Sequence, residues 1–378
     1  MTSLSGTVIY DPHCKLQCLF CSRHLMELLL SWLDPRAVSN LWKSNRTFRL
    51  NVFGVVGCTI QWRHAQLTIG TCPQLLQVVH SVHGVDLKDT DRVSLHDLPN
   101  ASRVSFEGTN TLTTTSGSGP LPTHVRLLSL APRGDNVNWS LLPPGLISLD
   151  TNTCGLSPIL PGCLPPGLQQ LYLGDSYNYP LTPGMFPNTL VLLQFGWGFK
   201  QNIPYDVFKF SSKLQTLIFG DLYNQPLDRG ALPPAVTYLR FGKSFNQPIR
   251  YGVLPLFLVC VDFGHGKFNQ PILPGVLPDT LTSLIVGDHF NKPLIRGCLP
   301  KSLTHLKLGC FFNQPFGESV LPANLRSIQF GLFFNQPLLE HVMPSSLTTI
   351  RLYSEKEYKH WIPPKLLPKV VYTHSREK

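Results

Sequence analysis

Three cysteines near the start of the chain have a spacing that metal chemistry uses. Cys14, Cys18 and Cys21 form a C-x3-C-x2-C pattern, in which three thiolates could hold an iron–sulfur cluster and leave one iron open. With His24 or His13 as a fourth ligand, they could instead bind zinc. The third interpretation is that they are small apolar residues beside a helix. The iron–sulfur interpretation also needs a β/α barrel to hold its cofactor, and no alternating β–α pattern follows. We favour the third interpretation and predict no metal or cofactor.

No other set of reactive side chains has the spacing of a catalytic site. The thirteen histidines are scattered, and His289 and His305 have no Asp or Ser nearby at the spacing of a triad. The G-x-S-x-G, P-loop and H-E-x-x-H motifs do not occur. We therefore expect that the protein is not an enzyme.

Charge and hydropathy exclude two classes of partner. The net charge is +10, but Lys and Arg form no run of five, so we predict no nucleic-acid partner. The apolar run Leu25–Leu33 contains Glu27 and is too short to span a membrane, and no signal peptide is recognised. Ten cysteines in such a chain fit a reducing compartment. We expect a cytoplasmic protein that does not bind membranes.

One short string recurs at nearly constant spacing in the second half of the chain. Each copy has an aromatic residue, Asn, Gln or Lys, Pro and an apolar residue, and successive aromatics are 22 or 23 residues apart. A fixed period of this length is typical of stacked-repeat proteins. The five clearest copies are 245–249, 268–272, 290–294, 312–316 and 334–338.

The remainder of each repeat predicts a strand. A unit opens with Pro, as at Pro322, and apolar residues follow three, six and eight positions later, usually before Gly. The last two apolar positions have the two-residue period of a strand, so successive units should place parallel strands about 4.8 Å apart. The return segment is too short for a helix, which favours an extended back face.

We therefore predict a mainly β fold. It is a right-handed parallel β-solenoid of about 22-residue leucine-rich-like coils, preceded by a short α-helical N-terminal segment. The predicted divisions are a helical segment at 1–50, an irregular junction with degenerate first coils at 51–120, the solenoid at 121–353, and a C-terminal cap and tail at 354–378.

The asparagine of each string has a predicted structural role. A buried amide next to the strand could bond the backbone of neighbouring turns and form a ladder along the solenoid. Pro, two residues later, fixes the turn and needs no donor partner. The predicted ladder consists of Asn178, Asn224, Asn246, Asn269, Asn291, Asn313 and Asn335.

Side chains between the buried strand positions should point outward in columns. Solenoids build binding surfaces in this way, from varied side chains on a regular frame. Aromatic residues and Arg are the most frequent anchors of protein interfaces. The residues predicted to bind a protein partner are Tyr172, Tyr238, Arg240, His305, Lys307 and Arg351.

The repeats resemble the FNIP repeat family, a leucine-rich-repeat-like family abundant in social amoebae and present in some large amoeba-infecting viruses. The period and the Phe-Asn-Gln-Pro-Ile/Leu core carry the resemblance over 121–352. Two strings depart from it. At 156–159 the Asn is absent, and at 199–204 we interpret Phe-Lys-Gln-Asn-Ile-Pro as containing one inserted residue.

The segment 28–41 resembles the middle of an F-box, which some FNIP proteins carry before their repeats. The resemblance implies that a Skp-type adaptor of a cullin ubiquitin ligase would contact Leu30, Leu33, Pro35, Val38 and Leu41. It departs from the family where Cys21-Ser22 replaces the opening Leu-Pro and Phe48 replaces the closing Trp. The alternative is a helical cap on the first coil of a scaffold that has no ligase connection. In either case we expect a monomer apart from such a complex.

Overall fold

The structure, a computed structural model, divides into two compact units, residues 1–107 and 108–378. The adaptor-binding residues predicted between Leu30 and Leu41, and the three clustered cysteines, lie outside the residues that the structure describes. The described residues are 49–50, 59–62, 84–88, 102–108, 123–132, 139–151, 157–353 and 362–372.

The first unit already contains parallel strands. Strand β1, Arg49–Leu50, pairs antiparallel with β2, Thr59–Trp62. Strand β2 pairs in parallel with β3, Gly84–Lys88, which pairs in parallel with β4, Arg103–Gly108. Of the predicted helical segment 1–50, the structure describes only Arg49 and Leu50, which form this strand.

The second unit confirms the predicted parallel β-solenoid. Twelve strands follow one another along the described chain, and each pairs in parallel with the next. They are β5 Leu127–Pro132, β6 Ser148–Asp150, β7 Gln170–Tyr172, β8 Leu192–Gln194, β9 Thr216–Ile218, β10 Tyr238–Arg240, β11 Cys260–Asp262, β12 Ser283–Ile285, β13 His305–Lys307, β14 Ser327–Gln329, β15 Thr349–Leu352 and β16 Val370–Tyr372.

Each of the three-residue strands β6–β14 buries its central residue. Leu239 of β10 pairs with Leu217 of β9 and with Val261 of β11, and all three side chains are fully buried. One coil has no second face on which to bury this residue, so the stacked neighbours provide the apolar contact. The strands are the wall of a core that is continuous from coil to coil.

Two columns of aromatic rings fill the inside of that wall. The aromatic residues of the repeated string stack face to face, with ring centroids 6.0–6.4 Å apart between successive coils. A second column contacts the first, as in the pair Phe241–Phe245 at 4.0 Å. Aromatic pairs of this kind add about 0.5–1.5 kcal/mol beyond their buried area. The first column consists of Tyr177, Phe199, Tyr223, Phe245, Phe268, Phe290, Phe312 and Phe334.

The return segments contain no α-helix among the described residues of this unit, as their length predicted. Two short 3-10 turns occur, at Trp139–Leu141 and Leu367–Lys369. The prediction of one inserted residue at 199–204 is wrong. Ile203 is buried like Ile249 of a regular string, and the extra residues lie in the turn 204–211 that follows. Among the described residues, no helix is both long and apolar enough to cross a membrane.

Candidate functional site

The outward positions of the strands form two columns, which we call the strand face. In strands β6–β14 the first and third residues flank a buried residue, and the parallel register places equivalent residues side by side. The first column is Ser148, Gln170, Leu192, Thr216, Tyr238, Cys260, Ser283, His305, Ser327 and Thr349. The second is Asp150, Tyr172, Gln194, Ile218, Arg240, Asp262, Ile285, Lys307, Gln329 and Arg351.

The structure places all six residues predicted to bind a partner on the strand face, but not in one patch. They fall into groups three strands apart, which is about 14 Å at the usual strand spacing. The groups are Tyr172 on β7, Tyr238 with Arg240 on β10, and His305, Lys307 and Arg351 on β13–β15. Their role in binding stays a prediction.

The middle group is organised around Asp262, a residue that the sequence prediction missed. The Asp262 carboxylate lies 3.7 Å from Arg240 Nε and 3.5 Å from the hydroxyl of Tyr238. It also accepts a 2.6 Å hydrogen bond from the backbone N–H of Gly264. Burial, and then the Asp262 charge, raises the pKa of Tyr238, so the phenol stays protonated and can donate. Arg240 is therefore balanced by an anion.

The last group has unbalanced positive charge. The strand between Lys307 and Arg351 is β14, and Arg326 directly precedes it. None of the three forms an ion pair with any residue that the structure describes, in contrast to Arg240. From β12 to β15 the strand face has no acidic residue. We call Lys307, Arg326 and Arg351 the basic cluster. Arg326 was missed because it precedes the strand by one residue.

The asparagines of the repeated string are bonded to one another's coils. Among the described residues, the side-chain oxygen of six of the seven asparagines, all but Asn335, accepts a hydrogen bond from the backbone N–H of the equivalent residue one coil later. For example, Asn291 Oδ1 accepts from Asn313 N–H at 3.0 Å, and also from the Gln314 side-chain amide at 3.0 Å. The asparagine thus fixes the stacking of adjacent turns and is not part of the strand face.

One detail of the ladder differs from the prediction, whereas a gap at Lys200 agrees with it, because the predicted ladder has no asparagine in that coil. The asparagines are half-buried or exposed and not fully buried, so water can reach their amides. The ladder lacks a side-chain acceptor at Lys200, although the Lys200 N–H donates to Asn178 Oδ1 in normal register. The N–H of Asn224, one coil later, therefore has no corresponding acceptor.

One row of side chains beyond the strands resembles a reactive site in composition. The His265 Nδ1 lies 3.1 Å from Asp288 Oδ2, and the Cys310 thiol hydrogen bonds to the same carboxylate. Burial, followed by Asp288, raises the pKa of Cys310. Because Asp288 lies between the other two, the imidazole does not contact the sulfur, and the thiol stays protonated and unactivated.

A metal site is not assembled in the part of the chain that the structure describes. Among those residues no group of three His, Cys, Asp or Glu side chains could hold a metal ion. The metal interpretations of Cys14, Cys18 and Cys21 concern residues outside that part and stay untested.

Comparison with known proteins identifies the repeats. The family model described as FNIP Repeat matches residues 156–198, 200–244, 223–266, 268–311 and 312–354. The solved structure of CroV588, described as a novel circular LRR protein, is similar to 73% of this chain at 33% identity, with a TM-score of 0.62. The match covers 41% of CroV588, so the chain spans less than half the length of that relative.

More distant similarities were also found. An internalin, InlF of Listeria monocytogenes, matches 79% of this chain and 80% of its own at 17% identity and a TM-score of 0.42. The Drosophila Toll–Spatzle complex matches 81% of this chain and 44% of its own at 15% identity and a TM-score of 0.42. No curated protein matches the sequence. With its repeats matched from residue 156 to residue 354, the chain belongs to the FNIP repeat family.

Proposed function

We propose that this leucine-rich-repeat-like solenoid is a non-catalytic scaffold that recognises a protein partner through its strand face. The observation that carries the proposal is the separation of constant and variable positions. Inside each coil the same apolar and aromatic side chains recur, whereas the strand face changes from Tyr to Arg, Asp, His or Lys from coil to coil. A regular frame with varied outward side chains is how solenoids provide binding surfaces.

The chemistry of the strand face supports a protein partner. Tyr172 and Tyr238 are half-buried, so their side chains are already partly ordered before a partner binds. Tyr and Arg contribute most often to interface energy, because they combine large contact area with directional polar groups. The Asp262 cluster holds Tyr238 and Arg240 in place, which lowers the entropy lost on binding.

Variants of the two strand-face tyrosines test this proposal. Tagged full-length protein carrying Tyr172→Ala and Tyr238→Ala should keep its circular dichroism spectrum but recover about tenfold less of the partners that wild type captures from an extract of its native cells. The matched control is Tyr205→Ala with Tyr251→Ala, at two return-segment tyrosines that are exposed to solvent. Equal recovery by wild type and the strand-face variant would contradict the proposal.

We further propose that the chain is a substrate receptor of a cullin-type ubiquitin ligase, acting in the cytoplasm. Support comes from the F-box-like sequence 28–41, in which Leu30, Leu33, Pro35, Val38 and Leu41 would contact a Skp-type adaptor. The strand face would then hold the protein to be modified. The alternative is a structural scaffold without a ligase link, in which the N-terminal segment only covers the first coil.

Co-purification with an adaptor separates these two functions. A Skp-type adaptor from the native cells, mixed with the full chain, should remain bound through size exclusion. Leu33→Asp should abolish that binding because it places a charge in an apolar contact. Leu25→Asp, outside the F-box-like segment, is the control. An adaptor that does not bind the wild-type chain would leave the scaffold function and eliminate the ligase role.

A further inference from the structure

Exposed aromatic rings lie in the same coils as the basic cluster. Phe311 and Phe333 are 45% and 52% exposed, and their rings stack with centroids 5.0 Å apart. The ring of His289, one coil earlier, is 5.2 Å from Phe311. We call these three residues the aromatic strip. The equivalent positions in earlier coils are Ser176, Gly198, Leu222, Ser244 and Lys267.

The aromatic strip has no role in the core. Each ring directly precedes a buried aromatic, such as Phe312 after Phe311, which occupies the interior column. A Phe side chain stabilises a fold mainly by burying its apolar surface. Phe311 and Phe333 remain exposed, so they do not stabilise the fold as Phe312 does. Adjacent exposed apolar side chains bordered by charge are typical of interaction surfaces.

The strip and the basic cluster lie in neighbouring coils. Phe311 follows Lys307 by four residues, and Phe333 follows Gln329 of the strand face by four. Lys307 and Arg351 are two strands apart, about 10 Å, and Arg326 lies at the opposite end of the strand between them. The charged part of this surface therefore lies on strands β13–β15, with the rings along one edge. Beside Phe333, an open depression of about 460 Å³ is lined by Leu332, Phe333, Phe334 and Asn335.

The charges of these coils favour a partner with negative charge. Of the acidic residues in coils 283–353, Asp288 contacts His265 and Glu340 is paired with Lys365. Glu318 lies in a return turn and not on the strand face. The basic cluster has no such partner among the described residues. Unpaired cations on a face without anions attract an acidic ligand and repel a basic one.

We propose that the surface formed by the basic cluster and the aromatic strip binds an acidic protein segment that also carries apolar side chains. This inference rests on the proposed recognition function and names the partner class. Carboxylates of the segment contact Lys307, Arg326 and Arg351, and its apolar side chains pack on the edges of Phe311 and Phe333. Single-stranded nucleic acid fits less well, because its bases need open ring faces and these rings already stack on each other.

Fluorescence anisotropy with defined probes tests the proposal on the full chain. The first probe is a labelled peptide with four Glu-Glu-Leu repeats. Two further peptides replace every Glu by Gln or every Leu by Ser. The fourth probe is a labelled oligouridylate. At about 50 mM salt the Glu-Glu-Leu peptide should bind at least about tenfold more tightly than any other probe. Its affinity should fall as salt rises, because the cations are accessible to solvent.

Two pairs of variants locate the site. The double variant Lys307→Ala, Arg351→Ala should bind the Glu-Glu-Leu peptide about tenfold more weakly. The control Arg250→Ala, Arg296→Ala removes the same charge from return segments and should not change the affinity. Phe311→Ser with Phe333→Ser should weaken it similarly, whereas Phe210→Ser, at a 55% exposed ring elsewhere, should not. Circular dichroism confirms that each variant is folded.

Several outcomes would overturn the inference. They are equal binding of the Gln peptide, tighter binding of the oligouridylate, equal effects of both charge-removing variants, or no binding of the Glu-Glu-Leu peptide at about 1 mM. If any of these occurs while the tyrosine variants still lose captured partners, the recognition function stands and only the acidic partner class is wrong. If the tyrosine variants also recover partners normally, both fail.

Discussion

Tyr177 and Tyr223 occupy positions of the inner aromatic column where the other coils have phenylalanine. The hydroxyl of Tyr223 is buried and has no hydrogen-bond partner. Burial raises the pKa of Tyr177 to about 12, and burial raises that of Tyr223 still further. A buried hydroxyl without a partner loses its hydration and gains nothing in return, so it opposes folding.

Replacing Tyr223 with Phe should therefore stabilise the protein. The ring keeps its stacking with Phe219 and Phe245, and the unpaired hydroxyl is removed. We expect the free energy of unfolding in urea to rise by about 1–2 kcal/mol. Tyr251→Phe, at a tyrosine that is 75% exposed, should change it by less than about 0.5 kcal/mol. If Tyr223→Phe lowers the free energy of unfolding, the Tyr223 hydroxyl has a hydrogen-bond partner and this account is wrong.

The same tyrosines should give the stability an alkaline limit. Their pKa values in the folded protein lie above the unfolded value of 10.0, so ionisation of these tyrosines does not lower the free energy of unfolding below pH 10. The free energy of unfolding falls as pH rises from 10 towards about 12, because the unfolded chain releases these protons first. Between pH 9 and pH 11 wild type should lose about 2–3 kcal/mol more than a Tyr177→Phe, Tyr223→Phe variant. Parallel pH profiles of the two proteins would refute this.

At the scale of the coil, the asparagine ladder and the glycine that follows each of the strands β7–β14 set how closely turns stack. Asn291 bonds the backbone of the next coil, and a Cβ at Gly309 would overlap the carbonyl oxygen of Gly287. The first feature adds a bond between coils and the second allows their backbones to approach. Both act on the frame and neither lies on the strand face.

Two opposite substitutions test the ladder. Asn291→Leu removes the acceptor of Asn313 N–H and of Gln314, and should cost about 1 kcal/mol, because water reaches the freed donors. Lys200→Asn supplies the missing acceptor for Asn224 N–H and should add about 0.5–1 kcal/mol. Both changes are measured by urea unfolding. Unchanged stability in both variants would mean that the ladder accompanies the stacking without contributing to it.

The close approach of the turns is tested at the glycines. Gly309→Ala should cost about 1–3 kcal/mol, because backbone atoms of the neighbouring coil have to move. Gly317→Ala is the matched control, since its Cβ would meet only Val320 Cγ2 at 3.6 Å, an ordinary contact. Thermal unfolding of both variants decides the question, and equal melting temperatures would contradict the close-approach account.

At the scale of the molecule, the periodic features were predictable and the exceptions were not. The spacing of Leu325, Ile328 and Phe330 predicts the strand and its buried residues, because burial repeats with the period. The extra turn at 204–211 was misplaced, since one irregular coil has no spacing to fix it. Its Ser211 stands where other coils have Pro because its N–H donates to the Phe208 carbonyl.

The candidate site was only partly predictable for a similar reason. The strand-face columns follow from the two-residue period of a strand, so Tyr238 and Lys307 were found. Charge balance depends on pairs from neighbouring coils, so the neutralisation of Arg240 by Asp262 was missed. The aromatic strip was missed because Phe311 and Phe333 read as part of the buried string until the exposure of each ring is known.

Site-specific photocrosslinking tests most directly whether the strand face recognises a protein. A benzophenone amino acid replaces Tyr238 on the strand face or Tyr251 on the return segment of the full chain, in an extract of its native cells. We predict a discrete crosslinked protein from position 238, suppressed by excess unlabelled wild type, and none from position 251. Equal crosslinking from position 251, or none from position 238, would contradict recognition through the strand face.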